Sequence, residues 1–252
     1  MEVHHHTQAH GKKNWKTYFW EFLMLFLAVF CGFLAENFRE HQVEHQREKQ
    51  YIVSMLRELE ADTAQLKIVL KDSVRVTGID SMVRYINTNS FESLDTRWLY
   101  YFKRKYLSNV NFMSYSNNTL SQLKNAGNMR LIRKRNVVDS LNRLDNLIRN
   151  SEEQADFVLS QFQHHALLGN EIFNEWFYLD SGIKIHVSNA ELILNRSIAP
   201  PLLTKEQNEL IKYANLASSW GGLVSNYNHM LLINYNFSSQ LINFLKKEYN
   251  IR

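Results

Sequence analysis

Apolar residues are concentrated first near the N-terminus, in an uncharged run of fourteen residues from Phe22 to Ala35. At about 1.5 Å per residue this run would measure about 21 Å as a helix, shorter than the ~30 Å hydrocarbon core of a bilayer. Adding residues 18–21 lengthens the helix to about 27 Å, which is enough to span a membrane. The pattern therefore predicts a transmembrane anchor over residues 18–36, preceded by a polar tail of residues 1–17.

Two sets of side chains characterise this anchor. Trp15, Tyr18 and Trp20 are typical of the aromatic belt at a membrane interface. Glu21 follows them near the helix N-terminus, where the macrodipole favours a carboxylate, and it is expected to be a further interfacial anchor. Four small residues share one face of the helix, namely Ala28, Cys31, Gly32 and Ala35. Small residues let helix backbones approach in lipid, so this face predicts transmembrane packing, with ordinary lipid-facing composition as the alternative.

A cleaved signal peptide and a buried helix of a soluble protein are the alternatives to an anchor, because both have a hydropathy similar to that of a transmembrane helix. No small-x-small cleavage site follows the run cleanly, however, and Phe30 before Cys31 does not fit a lipoprotein-type site. The orientation of the span depends on the lysine and arginine residues that flank it. Three lysines precede the span, and Arg39, Arg47 and Lys49 follow it among several glutamates, so the two sides differ little. The positive-inside rule then favours an N-terminus in the cytoplasm, an inner-membrane location and a periplasmic C-terminal domain.

Beyond the anchor the hydrophobic pattern becomes that of solvated and amphipathic helices. Residues 37–52 are polar and predict a stalk, whereas residues 52–70 place apolar side chains at three- and four-residue steps, the helical period. Gly78 is expected to end this helix. Two further long helical patterns cover residues 134–178 and 204–249.

Local signals predict where several helices begin and end. Asp95 is expected to be an N-cap, and Gly127 is expected to close a short helix in the left-handed conformation. Thr204 followed by Gln207 has the spacing of a capping box. Residues 180–203 contain a β-prone alternation and a double proline, and they predict either a small hairpin or a packed loop.

Composition agrees with an all-α fold. The chain of 252 residues has only two prolines and eight glycines, fewer turn residues than an all-β protein needs. We predict a transmembrane helix that continues into a stalk helix, followed by an antiparallel helical bundle over the rest of the 37–252 extramembrane domain. The net charge of +4 is too small for a nucleic-acid-binding arm, and the single cysteine excludes a disulfide framework within the chain.

Two blocks of the sequence resemble an uncharacterised family of single-pass, membrane-anchored helical proteins of Gram-negative bacteria. The first block is YFWEFLMLFLAVFCGFLAENFREHQVEHQREKQYIVSMLRELEAD, and the second is TLSQLKNAGNMRLIRKRNVVDSLNRL. The second contains an L-x-x-x-G-x-x-x-x-I segment before a long helix. The resemblance covers about a third of the chain and implies the anchored, helical topology. It implies no catalytic residues.

One short motif has the spacing of a catalytic site. His41, Glu44 and His45 fit H-x-x-E-H, in which two histidines on one helical face bind zinc beside a carboxylate. The alternative is a charged juxtamembrane helix, because the motif lies on a polar stalk without a pocket or an identifiable third ligand. We therefore predict no enzyme, no cofactor and no metal site.

Other charged clusters are expected to be structural. The histidines of the polar tail predict a disordered segment rather than a metal site, and they are His4, His5, His6 and His10. Neighbouring His164 and His165 point about 100° apart on a helix and do not readily share one ion. Two basic clusters predict solvated helix faces, with anionic lipid or nucleic acid as the alternative: Lys103–Lys105, and Arg130 with Arg133–Arg135.

These patterns together predict a non-catalytic, membrane-anchored interaction or scaffold protein of the cell envelope. Its expected partners are the lipid bilayer and either a second copy of the chain or another envelope protein, with no nucleic acid. The alternatives are an extracytoplasmic ligand-binding sensory module and a zinc-dependent hydrolase.

Overall fold

The computed structural model describes residues 14–179 and 184–251, and within these ranges it is almost wholly helical. Six α-helices follow one another: α1 (Trp15–Val69), α2 (Val74–Thr88), α3 (Thr96–Tyr106), α4 (Asn118–Asn125), α5 (Arg135–Ile172) and α6 (Gln207–Tyr249). The described ranges contain no β-strand, and their one isolated bridge joins Phe173 to Leu202. The predicted all-α fold is confirmed.

The chain divides into two compact units, Met1–Tyr51 and Ile52–Arg252. The described part of the first unit is the N-terminal part of α1, whose side chains are mostly exposed. The second unit contains the remainder of α1 and all the other helices. Its core holds large aromatic and aliphatic side chains, among them Trp220, Tyr100, Tyr213, Tyr227, Phe173 and Ile79.

Helix α1 ends at Val69, and a short 3-10 turn over Leu70–Ser73 separates it from α2. The expected helix end at Gly78 is wrong, because Gly78 is buried inside α2. A Cβ atom at this position would lie 2.4 Å from ring carbons of Tyr106 in α3. This glycine therefore permits a close contact between two helices and does not end one.

The two longest helices of the second unit, α5 and α6, pack antiparallel along most of their length. The Trp220 indole Nε1 donates to the Val158 carbonyl at 3.1 Å, and near the other end Lys134 forms an ion pair with Glu248 at 3.0 Å. Residue numbers thus rise on one helix as they fall on the other, which confirms the predicted antiparallel bundle. Helix α2 adds a third layer against the first half of α6, where its Ile79 approaches Gly221.

Some helix ends agree with the local sequence signals. The Asp95 carboxylate caps α3 by accepting from the Arg97 backbone N–H at 3.0 Å. Gly127 follows α4 with φ 65° and ψ 16°, the left-handed conformation that glycine adopts without a steric penalty. Both predictions are confirmed.

Two other expected ends are wrong. Helix α6 begins only at Gln207, whose side-chain amide donates to carbonyls of the α2 region at Ile86 and Asn89. The capping box with Thr204 therefore does not form, although the Thr204 hydroxyl accepts from the Glu206 N–H at 3.1 Å. Helix α5 ends at Ile172 rather than near residue 178, and a separate 3-10 turn follows.

The described part of the irregular segment, residues 184–203, is a packed loop with a 3-10 helix over Val187–Ile193. It is not a hairpin. The Leu203 N–H donates to the Ile172 carbonyl at 2.8 Å, and the Tyr100 hydroxyl donates to the Pro201 carbonyl at 2.9 Å. These bonds hold the loop against the middle of α3 and the C-terminal end of α5.

Candidate functional site

The N-terminal part of α1 has the composition of a membrane span. An eighteen-residue window there has a mean hydropathy of 2.0, and none of it is buried. It belongs to the one helix in the described ranges that is long and apolar enough to cross a bilayer. A signal sequence would satisfy the same criteria, so what the structure supports is an exposed, apolar N-terminal helix.

Every residue expected to act in the anchor lies on the exposed surface of this helix. Trp15 is 81% exposed and Trp20 is 62% exposed, and Tyr18 and Glu21 are exposed as well. The four small residues are also exposed, and they are Ala28, Cys31, Gly32 and Ala35. No heavy atom outside its own helix turn lies within 4 Å of a Cβ built on Gly32, so a second helix could approach there.

The H-x-x-E-H motif does not assemble into a zinc site. The Nδ1 atom of His41 lies 4.0 Å from the Glu44 carboxylate, whereas Nδ1 of His45 lies 3.4 Å from Glu48, a different carboxylate. Among the described residues no group of three or more histidine, cysteine, aspartate or glutamate side chains could hold a metal ion. The four histidines of the N-terminal tail lie outside the described residues.

The basic cluster of α3 is engaged within the chain. Lys103 forms an ion pair with Glu175, and its ammonium group lies 5.4 Å from the ring centroid of Phe173. Neighbouring Arg104 donates from Nε to the Ile185 carbonyl at 2.5 Å. Lys105 pairs with a glutamate of the irregular segment, Glu191, at 2.6 Å. Arg104 and Lys105 therefore attach that segment to α3, whereas Lys103 binds the turn that follows α5. The expectation of a solvated face is wrong for these three residues, which are only partly exposed.

His165 is buried in an aromatic cluster between α5 and α6. Its ring stacks on Trp220 with 5.2 Å between centroids and on Tyr213 with 5.6 Å. Burial, reinforced by the charge of Lys103, lowers the pKa of His165 to about 4, although the Phe162 carbonyl opposes this shift. The imidazole is therefore neutral near pH 7.

The hydrogen bonds of His165 fix its tautomer. Nδ1 lies 3.2 Å from the Phe162 carbonyl, which can only accept, so Nδ1 carries the proton. Nε2 then accepts from the Tyr213 hydroxyl at 3.4 Å. At 2% exposure, His165 is a packing residue of the core, and its neighbour His164 is exposed.

An open cavity of about 250 Å³ lies where the chain between α3 and α4 meets α5 and α6. Its walls combine aromatic rings with hydroxyl and carboxylate groups: Phe112, Met113, Tyr115, Ser151, Glu152, Ala155, Asp156, Leu159 and Tyr227. The Phe112 and Tyr227 rings meet nearly edge to face, with 5.7 Å between centroids. The Tyr227 hydroxyl is fixed in place because it accepts from the Met113 backbone N–H at 2.9 Å.

A buried polar network supports one wall of this cavity. Asn234 is 1% exposed, and its Nδ2 donates to the Tyr115 hydroxyl at 2.5 Å and to the Ser151 hydroxyl at 3.0 Å. Its Oδ1 has no hydrogen-bond partner among the described residues. A sequence signal for this network exists, because Asn234 interrupts the apolar stripe of α6 at a position where Leu231 and Leu241 predict a core residue.

The electrostatic character of the cavity is acidic. Partial burial raises the pKa of Glu152, and the nearby charges of Asp156 and Asp145 raise it further. Burial also raises the pKa of Tyr115, with smaller contributions from Asp62 and Glu152. No lysine or arginine is among the described residues that line the cavity.

Comparisons with models of protein families, with curated proteins and with solved structures found no match for the chain. The resemblance to a family of anchored helical proteins therefore stays a prediction. The geometry of the exposed N-terminal helix, the bundle and the cavity is the basis for any assignment of function.

Proposed function

We propose that this chain is a non-catalytic, single-pass membrane protein of the cell envelope whose helical domain acts as an interaction or scaffold module. The observation that supports it is the exposed apolar window of α1, none of which is buried. Exposing so many large apolar side chains to water is unfavourable, whereas a bilayer solvates them. The anchor would lie in the inner membrane, with the C-terminal domain in the periplasm.

The proposed partners are the bilayer and either a second copy of the chain or another envelope protein. The small-residue face at Ala28, Cys31, Gly32 and Ala35 supports the second copy, because small residues allow close helix packing in lipid. The basic cluster of α3 does not favour nucleic acid, since Lys103 and Lys105 already pair with Glu175 and Glu191.

Fractionation and topology mapping test the proposal directly. The full chain should remain in the membrane pellet after alkaline extraction and should need detergent for release. A phosphatase reporter fused to the C-terminus should be active, and a fluorescent reporter that folds only in the cytoplasm should be dark. Recovery of folded, detergent-free protein in the soluble fraction, or an N-terminus that begins after residue 36, would contradict an uncleaved anchor.

Capture from detergent-solubilised membranes tests the interaction module separately. We expect a stoichiometric envelope partner or a defined homo-oligomer. A lone monomer would count against the scaffold proposal, even if the chain is firmly anchored.

A ligand-binding sensory module is the second candidate, and the cavity beside Tyr115 and Tyr227 is the specific observation that favours it. Clefts between helices of a bundle are common sites for small molecules. Such a module would not require a stoichiometric protein partner, so the capture experiment separates the two candidates.

A further inference from the structure

We propose that the cavity lined by Phe112, Tyr115, Tyr227, Glu152 and Asp156 binds a small organic cation, such as a quaternary or primary ammonium compound. This inference goes beyond the scaffold proposal and does not depend on it. It rests on the size of the cavity, its aromatic walls, its paired carboxylates and the rigidity of its tyrosines.

The size of the cavity limits the ligand to a small molecule. Its volume of about 250 Å³ lies below the range of about 300–1,000 Å³ that is typical of pockets for drug-sized ligands. The cavity is also open to solvent on one side, where Glu152 and Asp156 are exposed. A compact ligand can therefore place a charged group beside the carboxylates and its carbon atoms against the rings.

The walls favour a positive charge over a neutral or negative one. The face of an aromatic ring attracts a cation within about 6 Å of its centroid, and the cavity presents the rings of Phe112, Tyr115 and Tyr227. Glu152 and Asp156 lie four residues apart on α5, so they occupy the same face and repel each other. A cation between them relieves this repulsion, whereas an anion would increase it.

The aromatic walls also favour an organic cation over a metal ion. Calcium prefers about six to eight oxygen ligands, and magnesium requires a near-octahedral oxygen shell. Two carboxylates and two phenol groups beside apolar rings match neither preference. Methyl or methylene groups around a charged nitrogen, in contrast, pack directly against Phe112 and Leu159.

The two tyrosines are held in position before any ligand binds. The Tyr227 hydroxyl accepts from the Met113 N–H, and the Tyr115 hydroxyl accepts from the Asn234 amide. Asn234 and Ser151 are almost fully buried, so this arrangement is part of the packed bundle. Because these side chains are already ordered, ligand binding loses less conformational entropy, and the binding free energy is more favourable.

The test uses the full chain in a nonionic maltoside detergent, with thermal unfolding as the readout. Choline chloride at about 10 mM is compared with 3,3-dimethyl-1-butanol, its neutral isostere, and with sodium chloride at equal ionic strength. We expect choline or tetramethylammonium to raise the melting temperature by about 3 °C or more, with a saturable concentration dependence, and the neutral isostere to have no effect.

Matched variants assign the effect to the cavity. The double variant Glu152→Gln with Asp156→Asn should weaken the response at least about tenfold, whereas Glu153→Gln, an exposed carboxylate outside the cavity, should retain it. Because all three positions are exposed, these variants should keep the fold and the membrane fractionation of the wild type. Equal shifts with the neutral isostere, an unchanged response in the double variant, or stabilisation by calcium chloride alone would overturn the inference.

Discussion

The carboxylate of Glu58 in α1 caps the N-terminus of α4 through Thr119. Its two oxygens each lie 3.2 Å from the Thr119 backbone N–H, and Oε1 also accepts from the Thr119 hydroxyl at 2.8 Å. Asn117, the residue in the N-cap position of α4, makes no side-chain capping bond. A helix of only eight residues thus obtains its capping acceptor from a residue 61 positions earlier in the chain.

We expect Glu58→Ala to lower the free energy of unfolding by about 1–3 kcal/mol, because it leaves the Thr119 N–H in a buried position without an acceptor. Glu58→Gln keeps an acceptor oxygen and should cost less than the alanine variant. Glu153→Ala removes an exposed carboxylate and should stay within about 0.5 kcal/mol of the wild type. Urea unfolding of the full chain in detergent, followed by far-UV circular dichroism, measures all three. Equal effects of Glu58→Ala and Glu153→Ala would contradict the cap.

The contact between Gly78 and Tyr106 gives a second prediction. Gly78→Ala should destabilise the bundle by about 1–3 kcal/mol, because the new methyl group would overlap the Tyr106 ring at 2.4 Å and force α2 and α3 apart. Gly222→Ala is the matched control within α6, where nothing lies within 4 Å of the added Cβ. That change should stabilise the protein by up to about 1 kcal/mol, since alanine favours the helix. Denaturant midpoints in the opposite order would show that Gly78 is not a close contact.

Whether the sequence predicted a feature of this fold depends on how far apart in the chain the interacting residues lie. The cap at Asp95 and the left-handed Gly127 were predictable because the residues that define them are neighbours in the chain. The capping box at Gln207 was predicted wrongly because carbonyls more than a hundred residues away bind its amide. A tertiary contact of that kind has no local signal.

The cavity was not predictable for the same reason. Its walls come from three distant segments, represented by Phe112, Ser151 and Tyr227, and each segment alone looks like ordinary core sequence. The one local sequence signal is Asn234, a polar residue in the apolar stripe of α6, which indicates a buried polar network in this part of the bundle. The helical period indicates which residues are buried, but it does not indicate which of them leave a space between one another.

The small-residue face of the anchor leads to a prediction about self-association. Cys31 is the only cysteine in the chain and lies on this face, so oxidation of native membranes with copper phenanthroline should link two copies as a disulfide dimer. The control carries Cys31→Ala together with Phe33→Cys, which moves the thiol about 200° around the helix. It should give much less dimer on a denaturing, non-reducing gel. Equal yields from both positions would indicate random collision in the membrane.

The buried imidazole of His165 should make the stability of the bundle depend on pH. The pKa of His165 falls from 6.5 in an unfolded chain to about 4 in the folded one, with burial as the main cause. The unfolded chain therefore binds a proton first as the pH falls. The contribution of the neutral, buried His165 imidazole to the free energy of unfolding is therefore complete above pH 6.5 and is lost as the pH falls through about 4.

Between about pH 7.5 and pH 5 this linkage should lower the free energy of unfolding by about 2 kcal/mol. His165→Phe keeps a ring between Trp220 and Tyr213 but cannot titrate, so its stability should be lower at neutral pH and should decline less towards pH 5. His164→Gln removes the exposed neighbouring imidazole and should follow the wild-type curve. Urea unfolding at a series of pH values gives the free energy of unfolding of the wild type and of both variants as a function of pH. Parallel curves for wild type and His165→Phe would mean that another group carries the pH dependence, whereas a flatter curve for His165→Phe alone would assign it to the stacked imidazole.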